Sequence, residues 1–564
     1  MRSRKLYIVL AVVASTLLSA TSAQAQTSER ESADFELGCS IEILANMMRE
    51  FDMNYVKDVS PDDMLKAAAQ GIVRITDPYS QYLSEEDMAD FSIMTTGKYG
   101  GVGSAIRKKG DYVIFAEPYK GSPAAEAGIV SGDKIIAING KSMKGVDVDA
   151  ISSNLKGDPD TDVEVTIERL YTSKVETITL RRRRISIPSV AYYGIVRDGV
   201  GYISHNDFIH GSYDEMRHAV EALQAEAGEG LKGIVLDYRS NGGGVLAEAV
   251  DIASLFVGRG ERIVSIMGRD SLSLRHFTTE HSPIAKDIPI VVLVNGSSAS
   301  ASEIFAGALQ DMDRAVIMGQ RTYGKGLVQS TAYLGYNTYL KYTTEKYYIP
   351  SGRCIQAHDY SSRRSDGSIA TVPDSLIREF ATRGGRKVYD GGGIVPDVKL
   401  EPQYISRFAV TLYGMGYIND WVDGYMCKHH NDAIDVAIFK LTDEEYADFV
   451  EFIKDKDVPY ESESRRALKS LEQALANDLY DEALRDELKS FGELIKDDKL
   501  SNMQTYRKEI EDLLVGEILT RFAYDEGAMA NAVHKDSDVD AAINLILNPE
   551  EYNRILKEQN LPMH

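Results

Sequence analysis

Between residues 186 and 400 short apolar runs alternate with amphipathic ones, and this alternation restricts the fold more than any other feature of the chain. Gly201–Ser204, Gly233–Tyr238, Pro289–Val294 and Ala315–Gly319 are brief, largely apolar segments of the kind that form buried strands. Helical patterns lie among them: Tyr213–Ala225, Leu246–Phe256, and a third with apolar positions at Ile304, Phe305, Ala308, Leu309 and Met312. Strands alternating with helices predict an α/β layer architecture, because the apolar stripe of each helix has to be buried against a sheet face.

The flanking regions differ in kind. Residues 36–96 read as helices, with Ile41, Leu44, Met47 and Phe51 at helical spacing and Met64, Ala68 and Ile72 repeating it. Residues 97–185 are short β-rich runs punctuated by glycine. Residues 401–564 are mostly helical and hold 35 acidic against 18 basic residues, so they carry most of the chain's net charge of −23. That balance excludes a general nucleic-acid binder, whose affinity rests on neutralising phosphates. The acidic residues read as a solvated helical surface. At roughly 100–200 residues per domain, a chain of 564 residues divides into several. The division predicted is a leader over 1–25, an N-terminal helical region over 26–96, a β-rich domain over 97–185, the α/β core over 186–400 and an acidic helical domain over 401–564.

Arg2, Arg4 and Lys5 precede an apolar run from Leu6 to Leu18 and then Ala23-Gln24-Ala25. This is the pattern of a cleaved secretory signal peptide, with the mature chain starting near Gln26. The run is shorter than the roughly 20 residues a spanning helix needs. No other segment is apolar enough, so no stable membrane insertion is expected and the location predicted is periplasmic or otherwise exported. Cys39, Cys354 and Cys427 show no CxxC spacing, which argues against a disulfide scaffold or a structural zinc site. No metal or organic cofactor is implied.

The β-rich block carries Tyr99-Gly100-Gly101-Val102-Gly103 leading into Ser104-Ala105-Ile106, then Gly121-Ser122-Pro123-Ala124, Gly132-Asp133 and Ile138-Asn139-Gly140, with a closing strand Val163–Arg169. In this combination the block resembles a PDZ domain. The resemblance implies capture of a free C-terminus: backbone N–H groups around Gly101, Val102 and Gly103 take the carboxylate, and apolar side chains enter a pocket beside Val102 and Ile106. Glycine suits such a turn because the backbone must approach the ligand closely.

The chemistry is expected between Asp237 and Gln329. Asn295-Gly296-Ser297-Ser298-Ala299-Ser300-Ala301-Ser302-Glu303 follows one apolar strand and opens the third helix. A strand–turn–helix junction lifts a hydroxyl from the sheet edge, and the helix N-terminus favours developing negative charge. Serines at such a junction also serve as N-caps, and that role is expected for Ser298 or Ser302. No histidine lies in this segment or the next; the nearest upstream, His276 and His281, fall in a polar stretch. Lys325, in Tyr323-Gly324-Lys325-Gly326, is the alternative base. A lysine accepts a proton only when neutral, which requires desolvation. If the run after it is a strand, Lys325 and Gln329 share a face at period two, and the Gln329 amide can orient the amine.

Ser-Ala-Ser-Ala-Ser-Glu-Ile, then Ala306-Gly307-Ala308-Leu309-Gln310-Asp311, then Tyr323-Gly324-Lys325-Gly326-Leu327-Val328-Gln329, resembles the carboxyl-terminal processing peptidases, or tail-specific proteases. The likeness extends from Thr76-Asp77-Pro78-Tyr79-Ser80 to Gly393-Ile394-Val395-Pro396-Asp397. It implies a crotonase-like βα protease core in which Ser300 is the nucleophile, Lys325 the base and Gln329 its orienting amide. The oxyanion hole then falls on the N–H groups of Ala301 and Gly244, the latter in Asp237-Tyr238-Arg239-Ser240-Asn241-Gly242-Gly243-Gly244. The implied function is serine endopeptidase, acting on proteins and peptides with free C-termini. Residues 401–564 match no motif of the family and are open to gating, homo-oligomer formation or docking of a regulatory partner. Two other classes compete. A catalytically silent PDZ adaptor requires loss of the nucleophile or base, and both are present. A crotonase-like acyl-transfer enzyme requires coenzyme A, which an exported chain does not meet.

Overall fold

A computed structural model describes residues 33–363, 369–478, 482–494 and 498–557. The signal peptide read in 1–25 lies outside the described residues. Two units are compact: the described part of Met1–Glu85 with Gln329–Thr343, and Glu86–Val328 with Thr344–His564.

In the first unit a helix over 33–54 precedes a second, Pro61–Val73, which starts on proline, whose missing N–H is no loss in a first turn. Ile41, Met47, Phe51 and Ile72 lie on the surface. The strand Gln81–Leu83 pairs antiparallel with residues 339–341, Gln81 opposite Lys341 and Leu83 opposite Tyr339.

In the second unit the α/β core is a six-stranded sheet in the order Val190–Arg197, Val200–His205, Gly233–Asp237, Ile290–Val294, Val316–Gly319, Val398–Lys399. The first pair is antiparallel and the rest parallel. The helices Ser212–Ala227, Leu246–Ala253 and Ala301–Asp311 run between successive strands. The second helix ends at Ala253, short of the expected Phe256. Period-two alternation decides which side chain meets which layer. Ile290, Val292 and Val294 pack with Ile304, Phe305 and Leu309. Val291 and Leu293 face the other way, against Val539, Ile543 and Ile546. That outer layer comes from the far end of the chain, Ser537–Ile546 and Pro549–Lys557. The Tyr552 hydroxyl donates to the Ile290 carbonyl at 2.9 Å and accepts its N–H at 3.0 Å. Residues 401–564 are therefore more than a solvated surface: their end completes the layer that lets these strands be apolar on both faces. The remainder packs its own core around Phe408, Leu412, Trp421, Phe449, Ile510 and Leu514.

The glycine-punctuated block forms a separate sheet, ordered Ser104–Lys109, Tyr112–Pro118, Lys134–Ile138, Asp162–Glu168, Val175–Arg181. Val113, Phe115, Ile135, Ile151 and Val165 fill its core. A ribbon of Lys98–Gly101 against Arg183–Ser186 joins its two ends. Ion pairs fasten it to the helical region. Lys109 Nζ lies 2.8 Å from Asp423 Oδ2, while Arg521 Nη2 holds Asp423 Oδ1 at 3.0 Å. Among the described residues no helix is long and apolar enough to cross a membrane.

Candidate active site

Ser300 occupies the N-cap of the helix Ala301–Asp311 with φ +56° and ψ −115°. A non-glycine residue at positive φ is strained by about 1–3 kcal/mol and persists only where its surroundings hold it. Here the hold is Glu303, three residues on, whose Oε2 accepts the Ser300 N–H at 2.9 Å. The expected caps do other work. Ser298 Oγ donates to the Tyr238 carbonyl at 2.7 Å and Ser302 Oγ to the Asn241 carbonyl at 2.9 Å. Both tie the turn to the Gly-rich loop, and Ser300 is left half-buried at the helix start.

The same carboxylate reaches the lysine segment. Glu303 Oε2 also accepts the Lys325 N–H at 2.9 Å, and Oε1 accepts the Gly324 N–H at 2.7 Å and the Thr322 hydroxyl at 2.5 Å. Ser300 and Lys325 are thus joined through one oxygen atom. The Tyr347 hydroxyl stands opposite, bridging the carbonyls of Ser300, at 3.2 Å, and Lys325. The Tyr323 N–H donates to the Ser298 carbonyl at 3.0 Å. Glu303 is wholly buried. Burial pushes its carboxyl up to about 7, against the pull of the four donors. Lys325 is half-buried and lies two residues before the strand Leu327–Gly335, so strand alternation, which starts at Leu327, does not by itself put Lys325 and Gln329 on one face. Gln329 Nε2 donates to Thr343 Oγ1 at 3.3 Å.

The loop after Gly233–Asp237 runs alongside this turn. The Asn241 carbonyl accepts the Ala299 N–H at 3.0 Å, and its side-chain oxygen accepts the Gly243 N–H at 2.8 Å. Gly243 makes the close approach: at φ +98°, a Cβ there would lie 2.7 Å from both Ser300 Cβ and the Ala301 nitrogen. Gly244, the residue expected at the oxyanion hole, is the next along and exposed. Its neighbours pair with Phe208, through Phe208 N–H to the Gly243 carbonyl and Val245 N–H to the Phe208 carbonyl. The N–H of Gly244 itself therefore points away from Phe208. Ala301 is the first helical residue, where an N–H has no intrahelical acceptor. Histidines are engaged elsewhere: His276 Nδ1 with Ser265 Oγ at 2.8 Å, and His281 stacked on Tyr213. His205 lies behind the loop, wholly buried, and burial lowers its pKa to about 3.

Glu303 and Tyr347 are the site residues that motif reading passed over. The spacing of Ser300 and Glu303 is visible in the sequence but reads as an ordinary capping box. Tyr347 has no local signal.

In the glycine-punctuated block, Ser104–Lys109 is an edge strand, paired only with Tyr112–Pro118 among the described residues. The loop before it is fixed in shape, since the Val102 carbonyl accepts the Ala124 N–H and the Gly103 carbonyl the Tyr119 N–H, both at 2.9 Å. Gly101 is buried, Val102 sits in the module's core, and Ile106 packs against that core from the open edge. Gly103 has φ +75°, and a Cβ there would meet Ser122 Cβ at 2.4 Å.

Comparison with known proteins places these parts in register. The model described as "Peptidase family S41" matches residues 199–362, a PDZ-domain model matches 114–169, and "Probable PDZ-protease, C-terminal helical domain" matches 408–546. A "Probable CtpA-like serine protease" of Staphylococcus aureus (strain bovine RF122 / ET3-1) is 38% identical over 314 residues, 55% of this chain and 62% of the relative. The chain thus spans less than two thirds of that relative's length. A protein of the same description from Staphylococcus saprophyticus is 33% identical over 372 residues, covering 65% of this chain and 71% of the relative. The solved "photosystem II D1 C-terminal processing protease" is 28% identical, with a TM-score of 0.34, over 64% of this chain and 87% of that one. With the PDZ module, the α/β core and the helical C-terminal region all matched, and a relative covered over most of its length, the chain belongs to peptidase family S41.

Proposed function

We propose that the chain is an exported serine endopeptidase in which Ser300 and Lys325 form the catalytic pair. The observation that carries this reading is the strained N-cap serine held by the carboxylate that also holds the lysine backbone. Strain kept at such a point marks a group positioned for chemistry. The neutral Lys325 amine takes the Ser300 hydroxyl proton as Oγ attacks the scissile carbonyl. The tetrahedral oxyanion is received by the N–H groups of Ala301 and Gly244, a contribution of several kcal/mol when the donors are preorganised. Lys325 then returns the proton to the departing amine, leaving an acyl-serine. Water, deprotonated by the same lysine, releases the acid. Gln329 is assigned to orienting the amine. His205 is buried and held neutral, and His276 and His281 are engaged with Ser265 and Tyr213, so none of these three is taken as a rival base.

The PDZ module supplies selection. A substrate's C-terminal residues add to the open edge of Ser104–Lys109, with the carboxylate at the Gly101-Val102-Gly103 turn and the last side chain beside Val102 and Ile106. The leader pattern read in 1–25 supports a periplasmic or otherwise exported location.

The test is cleavage of an internally quenched peptide ending in a free apolar C-terminus. Ser300→Ala and Lys325→Ala should each abolish turnover, and the double variant should lose no more than either, because groups acting as a unit are strongly non-additive. Full activity in Lys325→Ala would remove the dyad.

A further inference from the structure

The C-terminal helices reach the Gly-rich loop through one side chain. Arg239 stands one residue beyond Tyr238 at the head of that loop. Its Nη2 holds Asp536 Oδ2 at 2.7 Å and its Nη1 holds Asp538 Oδ2 at 3.2 Å, while Nε and Nη2 grip Asp237 at 2.5–3.0 Å. The Arg239 side chain is 20% exposed, and Asp237 and Asp538 are 8% and 9% exposed. We propose that Asp536 and Asp538 are positioning residues for catalysis: through Arg239 they fix the loop that presents the oxyanion N–H, making the C-terminal helical region part of the working site.

Each of the two carboxylates gives one oxygen to the arginine and keeps the other for a partner in the C-terminal region. Asp536 caps Ser537–Ile546, its Oδ1 accepting the N–H groups of Asp538 at 2.8 Å and Val539 at 3.2 Å. Asp538 Oδ1 accepts Gln403 Nε2 at 3.0 Å. The helix itself is pressed on the sheet by Val539, Ala542, Ile543 and Ile546. On the loop side, Ser240 N–H donates to Asn295 Oδ1 at 2.9 Å, and Asn241 takes Ala299 and Ser302 as described above. Five residues, from Arg239 to Gly243, therefore link the C-terminal helix to the turn that carries Ser300. Three carboxylates surround one guanidinium, so neutralising one never leaves the arginine unpaired. Asparagine is as good an N-cap as aspartate, so Asp536→Asn keeps the helix start while cutting the charged link. A link of this kind sets geometry more than stability, and misplacement by a fraction of an ångström is felt in turnover.

This inference rests on the peptidase reading, and the experiment separates the two. Asp536→Asn, Asp538→Asn and the double variant are compared with wild type for kcat and KM on the quenched peptide, for thermal midpoint, and for hydrogen–deuterium exchange of the backbone over 238–245. Tyr552→Phe is the control, because it removes hydrogen bonds to Ile290 from the neighbouring helix and touches neither Arg239 nor the loop. The double variant should lose about tenfold in kcat with KM within about twofold, exchange faster over 238–245, and melt close to wild type. Tyr552→Phe should melt lower with kcat kept. In an Arg239→Lys background, which lacks the fork that spans both carboxylates, the two aspartate changes should add little. Unchanged kcat and exchange in the double variant, or a kcat loss equal to that of the control, would overturn the proposal. If wild type shows no Ser300-dependent cleavage, the peptidase reading fails, and the exchange comparison alone then decides whether the link holds the loop.

Discussion

Replacing Glu303 by Gln changes one oxygen to an NH2 group at the point where four donors converge. If the amide nitrogen takes the Oε2 position, it faces the N–H groups of both Ser300 and Lys325. If it takes the Oε1 position, the Thr322 hydroxyl can turn to accept, but the Gly324 N–H is left without an acceptor. The second arrangement is the less costly. One buried unsatisfied N–H costs about 1–3 kcal/mol, and the remaining bonds lose the strengthening that an ionised acceptor gives. Removing the charge returns little, because a carboxyl pushed up to about 7 is near balance between its two forms at neutral pH. The expected loss is about 3 kcal/mol at pH 8, read from urea denaturation. Turnover should fall at least tenfold, because the same bonds hold the nucleophile and the base. The pH dependences run in opposite directions. The folded chain keeps a proton on Glu303 up to about 7 that the unfolded chain releases near 4.5, so this group's contribution to stability declines as pH rises through that window. Activity needs the ionised acceptor in the folded chain and should climb as pH rises through about 7. A Glu303→Gln protein within 0.5 kcal/mol and twofold in kcat of wild type, thresholds set by about the scatter of neutral surface changes, would refute the assigned role.

Three further outcomes are expected. Gly103→Val, strained at φ +75° and set against Ser122, should abolish the difference in KM between peptides with free and amidated C-termini while leaving cleavage of both at the slower rate. Asp423→Asn removes the charge facing Arg521, 3% exposed, which keeps Glu517, and one of the two carboxylates on Lys109, which keeps Asp420; calorimetry should show a loss of about 1–3 kcal/mol, below that of a buried pair fully broken. Burial first, then the hydrogen bond and charge of Asp525, push the Glu117 carboxyl up to about 7 where the PDZ sheet meets the helical region. The folded chain keeps this proton up to about 7 while the unfolded chain releases it near 4.5, so stability should decline as pH rises over that range, and Glu117→Gln should flatten the slope relative to wild type.

The parts of this fold that were legible in the sequence are those whose signal is local. Buried parallel strands read as continuous apolar runs, and Pro289–Val294 and Gly233–Tyr238 fell within a residue or two of the strands formed. The order of their motifs points to Ser300 and Lys325, and the fold ties the two segments to one carboxylate. What was hidden depends on distance or on a residue with two readings. Glu303 stands at capping-box spacing, and nothing local says that its far oxygen collects Thr322 and Gly324 as well. Tyr347 meets Ser300 only because its strand returns beside the turn. Asp536 and Asp538 sit in a stretch whose acidity reads as a solvated face, with their partner Arg239 almost 300 residues upstream. The strand after Lys325 was anticipated, but Gly324 at φ +87° and Gly326 keep the lysine in a loop that packs against Ala357 and Gln356, so alternation begins only at Leu327.

The central claim is that Ser300 is a nucleophile made reactive by Lys325. A serine-reactive phosphonate ester tests it without any knowledge of the substrate. The intact protein is treated with the probe, digested, and the modified residue mapped by mass spectrometry, with the rate of labelling followed against pH in wild type and Lys325→Ala. The expected result is a single adduct on Ser300, a labelling rate that rises with pH, and loss of labelling in Lys325→Ala. An adduct on Ser298 or Ser302 instead, or a Lys325→Ala protein that labels as fast as wild type, would contradict it.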